Sequence, residues 1–265
     1  MRFFLAALSL SLPASALVSI GFDSSDDLST NFNVAGGTAG TSTIVSGAGF
    51  DGSGGVVNAT ATRTHAFTLS QSFAGDLSSW STHVLWNPGS SNASQFIIGV
   101  AESPDVFMTG AVPAAAQDAV SNSQLMGTIY SLFAAGGNAG INVQSTEQDG
   151  GLINHDETSG TLGLNTWYQV GLDVSFNGGI SYTATATISS VDGAGNPVAP
   201  LISASSTFDH ATLAADSEVY PFFGVTDTGG TLDRFETTAI VPEPHLLLLS
   251  SLSVGLLLAR RRRFR

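Results

Sequence analysis

Apolar and polar residues alternate along most of residues 17–240, a pattern typical of strands with one buried face and one solvated face. The clearest stretch is 167–188, where the alternation continues on both sides of Asn177-Gly178-Gly179. Two alternating runs joined by a glycine turn predict a β-hairpin. Further strands are predicted at 41–45, 56–62, 83–86, 95–101, 128–133, 141–144, 201–205, 218–225 and 232–240.

Glycine-rich and Asp-Gly turns separate these strands, and one short helix is predicted at 113–125. About a dozen strands with short turns favour an all-β fold, an antiparallel two-sheet sandwich or jelly roll. No repeat of fixed period is present, which argues against a propeller or a solenoid.

The composition narrows the function classes. The 265 residues contain no cysteine, which excludes a disulfide scaffold, a thiolate metal site and a thiol nucleophile. There is no lysine, and residues 17–241 carry two arginines against twenty acids, a net charge of −18. A body this acidic repels phosphate backbones, so nucleic-acid binding is not expected.

Residues 1–16 have the three parts of a secretory signal peptide. Arg2 supplies the positive region, an apolar stretch runs to residue 12, and Pro13 is followed by Ala14-Ser15-Ala16. Ala14 and Ala16 fit the small-x-small rule for cleavage, which is predicted after Ala16. The chain is therefore expected to be exported, with signal peptidase as a partner.

Residues 241–265 form a second targeting segment. Pro242-Glu243-Pro244 is followed by an apolar stretch at 245–259, which is predicted to be a transmembrane helix. An arginine cluster comes last, and by the positive-inside rule it stays cytoplasmic as a membrane stop. Its members are Arg260, Arg261, Arg262, Arg263 and Arg265.

This order of segments closely resembles the PEP-CTERM sorting signal of Gram-negative bacteria. The resemblance implies that an exosortase at the inner membrane recognises Pro242, Glu243 and Pro244 and removes the tail. It also implies transient anchoring in the inner membrane and then a place at the cell surface or in an extracellular polysaccharide matrix. The alternative is a simple single-span anchor.

The body, residues 17–240, resembles a second group. The segment 165–174 (NTWYQVGLDV) is similar to a strand of concanavalin A-like and laminin G-like sandwiches. The ending Leu232-Asp233-Arg234-Phe235-Glu236 resembles the last strand that often stands just before a PEP-CTERM tail, with Arg234 where Asn is usual. The resemblance implies a jelly roll whose terminal strands are neighbours, in some members with carbohydrate or calcium binding.

No catalytic motif is present. Glu147-Gln148-Asp149 lacks the final acid of the Glu-x-Asp-x-x-Glu hydrolase strand, and the G-x-G-x-x-G match at 47–52 leads into a strand rather than a helix. The five histidines show no paired spacing. The sequence therefore predicts a protein that is not an enzyme.

Two kinds of binding site remain as hypotheses. Adjacent terminal strands would bring acids together as oxygen ligands for a structural calcium ion, at Asp23, Asp26, Asp27 and Asp233. Aromatic rings that stack on sugars are sought at Trp80, Trp86, Trp167 and Tyr220.

The predicted function is that of an exported, non-enzymatic surface or matrix protein that binds extracellular polysaccharide. The alternatives are a glycoside-active hydrolase or lyase on the same fold, and a passive structural surface component.

Overall fold

The structure is a computed structural model that describes residues 14–36, 42–58, 65–70, 72–74, 79–89, 95–102, 124–132, 138–146, 152–215, 218–226 and 230–241. Within these residues lie sixteen strands, two five-residue helices and one 3-10 turn at Phe50–Gly52. The strands form two antiparallel sheets of eight strands each. The predicted all-β, antiparallel two-sheet sandwich is therefore confirmed.

The first sheet contains both terminal strands of the described fold. Its strands are β1 (Ala14–Ile20), β3 (Ser42–Ser46), β4 (Gly54–Asn58), β7 (Ser79–Asn87), β12 (Tyr168–Gly178), β13 (Ser181–Val191), β14 (Pro197–Asp209) and β16 (Thr231–Val241). They follow the order β14-β13-β12-β7-β16-β4-β3, and β1 pairs with β16.

The second sheet packs against the first. Its strands are β2 (Phe32–Gly36), β5 (His65–Leu69), β6 (Phe73–Ala74), β8 (Gln95–Ala101), β9 (Gln124–Leu132), β10 (Asn138–Thr146), β11 (Leu152–Thr161) and β15 (Glu218–Thr226). Their order is β11-β10-β9-β8-β15-β5-β2, and β6 pairs with β15. Helix α1 (Asp27–Asn31) precedes β2, and helix α2 (Ala211–Ala215) precedes β15.

The predicted hairpin is β12 and β13. Val170 pairs with Ile188, and Leu172 pairs with Ala186, so the alternating apolar side chains point to one face and are buried. Gly178 and Gly179 have φ angles of 99° and 65°, a left-handed conformation that glycine adopts without strain. The glycine turn therefore fixes the register that the alternation requires.

One hydrophobic core lies between the sheets. Phe22, Phe32, Phe223 and Phe235 form its aromatic centre, with ring centroids 5.3–6.0 Å apart in the contacting pairs. These rings come from both sheets and from the connection after β1, so their burial joins the layers.

Contacts between β11 and β14 close one side of the sandwich. The Ser205 amide of β14 donates to Asp156 Oδ2 of β11 at 2.8 Å, and the His155 ring stacks on Phe208 at 3.8 Å. Ser145 Oγ lies 2.7 Å from His155 Nε2. Burial, and to a smaller degree the neighbouring His210, lower the pKa of His155. The neutral imidazole thus serves packing at this edge.

Several strands were not predicted, namely β1, β2, β5, β6 and β11. The predicted helix at 113–125 falls largely outside the described residues, and its last two residues, Gln124 and Leu125, belong to β9 instead. Cross-strand pairing in β9 competes with local helix propensity there, and pairing wins.

The targeting segments fall mostly outside the described residues, and their roles stay predictions. Residues 1–13 and 242–265 lie outside the described residues. These ranges include Pro242, Glu243, Pro244 and the arginine cluster. Ala14 and Ala16 belong to β1, where they pair with Val241 and Ala239. Cleavage after Ala16 would shorten β1 by three residues.

Strand β16 is a central member of the first sheet. It pairs with β7 on one side, and on the other side with β4 near its beginning and with β1 from Phe235 onward. Between Asp233 and Glu236 the register with β7 shifts, and Arg234 has a φ angle of 51°. This bulge turns Asp233 towards the loop between β3 and β4.

The carboxylate of Asp233 ties that loop to β16. Oδ2 accepts hydrogen bonds from the Phe50 amide at 2.9 Å and from Ser53 Oγ at 2.7 Å, while Oδ1 accepts one from the Arg234 amide at 2.7 Å. The residue is 2% exposed, and burial raises the pKa of this carboxyl, although the hydrogen bonds oppose the shift. The glycine-rich segment 47–55 fits closely around it, since a Cβ on Gly49 would lie 2.8 Å from Asp233 Oδ2.

We expect Asp233→Ala to lower the free energy of unfolding by about 3 kcal/mol, because it leaves the buried Phe50 amide without its acceptor and removes the contacts with Ser53 Oγ and the Arg234 amide. Asp233→Asn keeps one acceptor and removes the buried charge, so its loss is smaller. Urea unfolding at pH 7 measures both. Asp209→Ala, at an exposed position at the end of β14, is the control and stays within about 0.5 kcal/mol of the wild type. A similarly small change for Asp233→Ala would contradict the assigned role.

The raised pKa of Asp233 makes a second, pH-dependent prediction. A folded pKa above the unfolded value means that the folded state holds the proton more tightly, so the stability due to this group is full below the unfolded pKa of about 3.9. It is lost as pH rises through the folded pKa. The stability of wild type relative to Asp233→Asn should therefore fall between pH 3.5 and 7 in parallel urea titrations. A constant or rising difference would refute the raised pKa.

Candidate functional site

Aromatic and charged side chains meet at one end of the sandwich, where the loop between β3 and β4, the approach to β12, the β13–β14 turn and the start of β16 come together. The Phe50 and Trp167 rings meet edge to face at 5.8 Å, and the Arg234 guanidinium carbon lies 5.7 Å from the Phe50 ring centroid. We call Phe50, Trp167 and Arg234 the end cluster. Phe50 is buried, whereas Trp167 and Arg234 are half-buried and reach the surface.

Arg234 is fixed in place by its neighbours. Its Nη1 donates to the Ala194 carbonyl at 2.6 Å, and a Cβ on Gly195 would come within 2.7 Å of the same nitrogen. The guanidinium is thus held between the β13–β14 turn and the Phe50 ring, and the cation–π contact contributes about 0.5–1 kcal/mol at such an exposed site.

The β13–β14 turn is itself built around Asp192. Asp192 Oδ1 accepts the amides of Ala194 and Asn196, each at 2.9 Å. These hydrogen bonds lower the pKa of the Asp192 carboxyl. An ionised, hydrogen-bonded aspartate therefore holds the turn that in turn holds Arg234.

Backbone strain concentrates at this end. Asp51, Asn165 and Arg234 have φ angles of 57°, 51° and 51°, and among the described non-glycine residues only Phe22 also has a positive φ. Such conformations cost free energy and persist where surrounding contacts impose them, often at binding sites. The end cluster therefore combines partly exposed aromatic and charged side chains with strained backbone around them, and both are features of binding sites.

The structure separates the four aromatic residues predicted to bind sugar. Trp80 and Trp86 are 4% and 1% exposed and belong to the hydrophobic core, so their rings are not available for stacking on a sugar. The Trp80 indole instead donates to Thr237 Oγ1 at 3.1 Å. Both positions are corrections: they alternate with polar residues in β7, and that alternation places them on the inner face.

Trp167 and Tyr220 both remain partly exposed. Trp167 belongs to the end cluster, while Tyr220 lies in β15 of the second sheet, where its hydroxyl donates to Glu218 Oε2 at 2.9 Å. This hydrogen bond is the main cause of a raised pKa for Tyr220. Trp167 and Tyr220 are therefore two separate candidates for stacking on a sugar, one at the end cluster and one on the second sheet.

Within the described part of the chain, the four predicted calcium ligands are not gathered into one group, and calcium binding stays a prediction. The terminal strands are neighbours, as expected, yet among the residues that the structure covers no group of three or more His, Asp or Glu side chains is arranged to hold a metal ion. Asp27 Oδ2 accepts the Ser24 amide at 2.8 Å, and Asp26 precedes α1. Asp233 already accepts three hydrogen bonds, from the Phe50 amide, Ser53 Oγ and the Arg234 amide.

A polar group on the solvent face of the first sheet was not predicted. His83 Nε2 lies 3.7 Å from Asp173 Oδ1, and Glu236 pairs with His83 across β16 and β7. Gly171 pairs with His83 on the other side, and a Cβ there would lie 2.8 Å from the imidazole Cε1. The glycine within an otherwise regular alternating strand was the sequence signal for this close approach.

Phe50 and Arg234 were also missed as parts of a site. Phe50 stands in the glycine-rich run at 47–52, whose pattern indicates only an approach to a strand, and Arg234 is the only arginine among residues whose structure is described. Both helices within the described ranges have five residues, and no helix there has the length and apolar character needed to cross a membrane.

Comparison with known proteins identifies the fold. No family model matches the chain, and no curated protein matches its sequence. A Bacillus subtilis protein of unknown function with a galectin-like fold matches with a TM-score of 0.56 at 12% identity, over 86% of this chain and 98% of its own. A Bauhinia forficata lectin in complex with GalNAc matches with a TM-score of 0.50 at 12% identity, over 86% of this chain and 99% of its own.

These likenesses concern the fold alone, because the identities are low. The β-sandwich that the described strands form is a concanavalin A-like sandwich of the galectin and legume-lectin type.

Proposed function

We propose that this chain is an exported, non-enzymatic protein that binds extracellular polysaccharide through the end cluster. The observation that carries the proposal is the half-buried Trp167 ring at the loop end of a lectin-like sandwich, where it meets the Phe50 ring edge to face while Arg234 holds Phe50 from another side. A ring fixed in this way loses little conformational entropy when a sugar stacks on it. Strained, hydrogen-bonded loops around it keep the surface preorganised.

Export and sorting form the second half of the proposal. In this proposal the signal peptide at 1–16 directs export and is removed by signal peptidase. The tail at 241–265 directs sorting and is processed by an exosortase. The body carries no cysteine and folds without oxidative chemistry, which suits a protein that is exported before it folds. The destination is the cell surface or the polysaccharide matrix of a Gram-negative-type bacterium.

A glycoside-active enzyme is the second candidate, and the polar group on the first sheet is the observation that favours it. Asp173 and Glu236 lie on β12 and β16, the two strands that flank β7 and His83. Strands two apart are separated by roughly 10 Å, near the upper limit for a pair of carboxylates acting on a glycosidic bond. Release of new reducing ends or unsaturated ends from polysaccharide, abolished by Asp173→Asn, would establish the enzyme in place of the binding protein.

Trp167→Ala should reduce retention of the full chain on the producing strain's unfractionated extracellular polysaccharide by about tenfold or more, since truncating a central aromatic anchor typically costs over 1.4 kcal/mol. Tyr220→Ala is the matched control, because it removes the other partly exposed aromatic candidate. Thermal unfolding of both variants verifies that the fold persists. Loss of retention in Tyr220→Ala with normal retention in Trp167→Ala would move the site to the second sheet.

Replacing Pro242, Glu243 and Pro244 by alanine should stop removal of the tail, so that the protein stays in the inner-membrane fraction at a mass that includes residues 241–265. Ser250→Ala with Ser251→Ala is the control within the apolar segment and should be processed normally. Mass spectrometry of the membrane and surface fractions reads both outcomes. Normal processing of the triple variant would refute recognition of this motif.

A further inference from the structure

The charges around the end cluster are almost all negative. Asp51 follows Phe50 directly and is exposed, and the exposed Asp192 holds the turn that binds Arg234. Asp233 lies beneath the same loop. These acids are linked to the end cluster by direct contacts or by sequence neighbours, and at physiological ionic strength the screening length is about 8 Å, so their charges act on a molecule bound there.

Among the described residues, Arg234 is the one cation at this end, and it is already engaged. Arg234 donates to the Ala194 carbonyl and lies over the Phe50 ring, so moving it to a ligand would break both contacts. No other arginine occurs in the described ranges, and the whole sequence has no lysine. Among the described residues a ligand carboxylate would thus lose water without gaining an ion pair, which is costly.

We infer that the end cluster binds a neutral polysaccharide and excludes polymers of uronic acid. The inference rests on the proposed function and names its ligand class. A neutral pyranose offers Trp167 an apolar ring face and brings hydroxyl donors to a surface where Asp51 follows Phe50 and Asn165 precedes Trp167 by two residues, both exposed. A uronate offers the same face but brings its charge towards Asp51 and Asp192.

The test uses extracellular polysaccharide from the producing strain, separated by anion exchange into a neutral pool and a uronate-containing pool. The full chain is passed over each immobilised pool in chelator, at low and at high salt. Retention on the neutral pool, with little change between the two salt concentrations, is expected. Retention on the uronate pool, in chelator or with added calcium, would overturn the inference while leaving polysaccharide binding intact. Retention on neither pool would overturn the proposed function as well.

A charge variant assigns the exclusion to this site. Asp51→Asn removes the charge, and Asn suits the positive φ of this position. The variant should bind the uronate pool about twofold to fivefold more strongly than wild type at low salt, with unchanged binding to the neutral pool. Asp209→Asn changes the net charge equally at the far end of β14 and should leave both affinities unchanged. Equal effects of the two variants would show that overall charge, and not the end cluster, excludes uronates.

Discussion

The architecture depends on the buried carboxylate of Asp233. This one side chain joins the central strand β16 to the loop between β3 and β4, 180 residues away in sequence, through the Phe50 amide and the Ser53 hydroxyl. Because Phe50 is placed by this bond, the Trp167 ring that packs on Phe50 depends on it as well. The group is buried at a cost that its hydrogen bonds only partly offset, which is why its pKa is raised. Stability and site geometry thus share one interaction.

The sequence pattern predicts the layers well and the site less well. Alternation in β12 and β13 identifies a buried face. In a two-layer fold, every second side chain of a strand points to the core, so apolar residues at every second position mark that face. The same rule, applied to β7, would have placed Trp80 and Trp86 in the core. A single tryptophan in a sequence is a candidate for stacking on a sugar. The alternation of its neighbours along the strand determines whether its ring is buried or exposed.

The site could not be predicted because its parts come from distant turns. Phe50, Trp167, Ala194 and Arg234 belong to four segments whose meeting requires knowledge of strand order. One clue was present in the motif at 232–235, where the resemblance leads us to expect Asn and this chain has Arg234. The φ angle of 51° is one that Asn tolerates well, so the arginine marks a position held by its contacts. Arg234 adopts this strained backbone conformation here, and its guanidinium forms a hydrogen bond with the Ala194 carbonyl and a cation–π contact with the Phe50 ring.

The direction of β16 also sets how the body is presented. The strand runs from Thr231 to Val241, so Arg234 stands seven residues before the point where the described chain ends, a separation of roughly 23 Å along an extended strand. If the chain is attached through the residues after Val241, the attachment point lies at the end of the sandwich where β16 ends. Trp167 and its neighbouring loops lie at the opposite end, where β16 begins. Under the proposed attachment through the tail, the aromatic surface would lie at the end of the sandwich farthest from the attachment point.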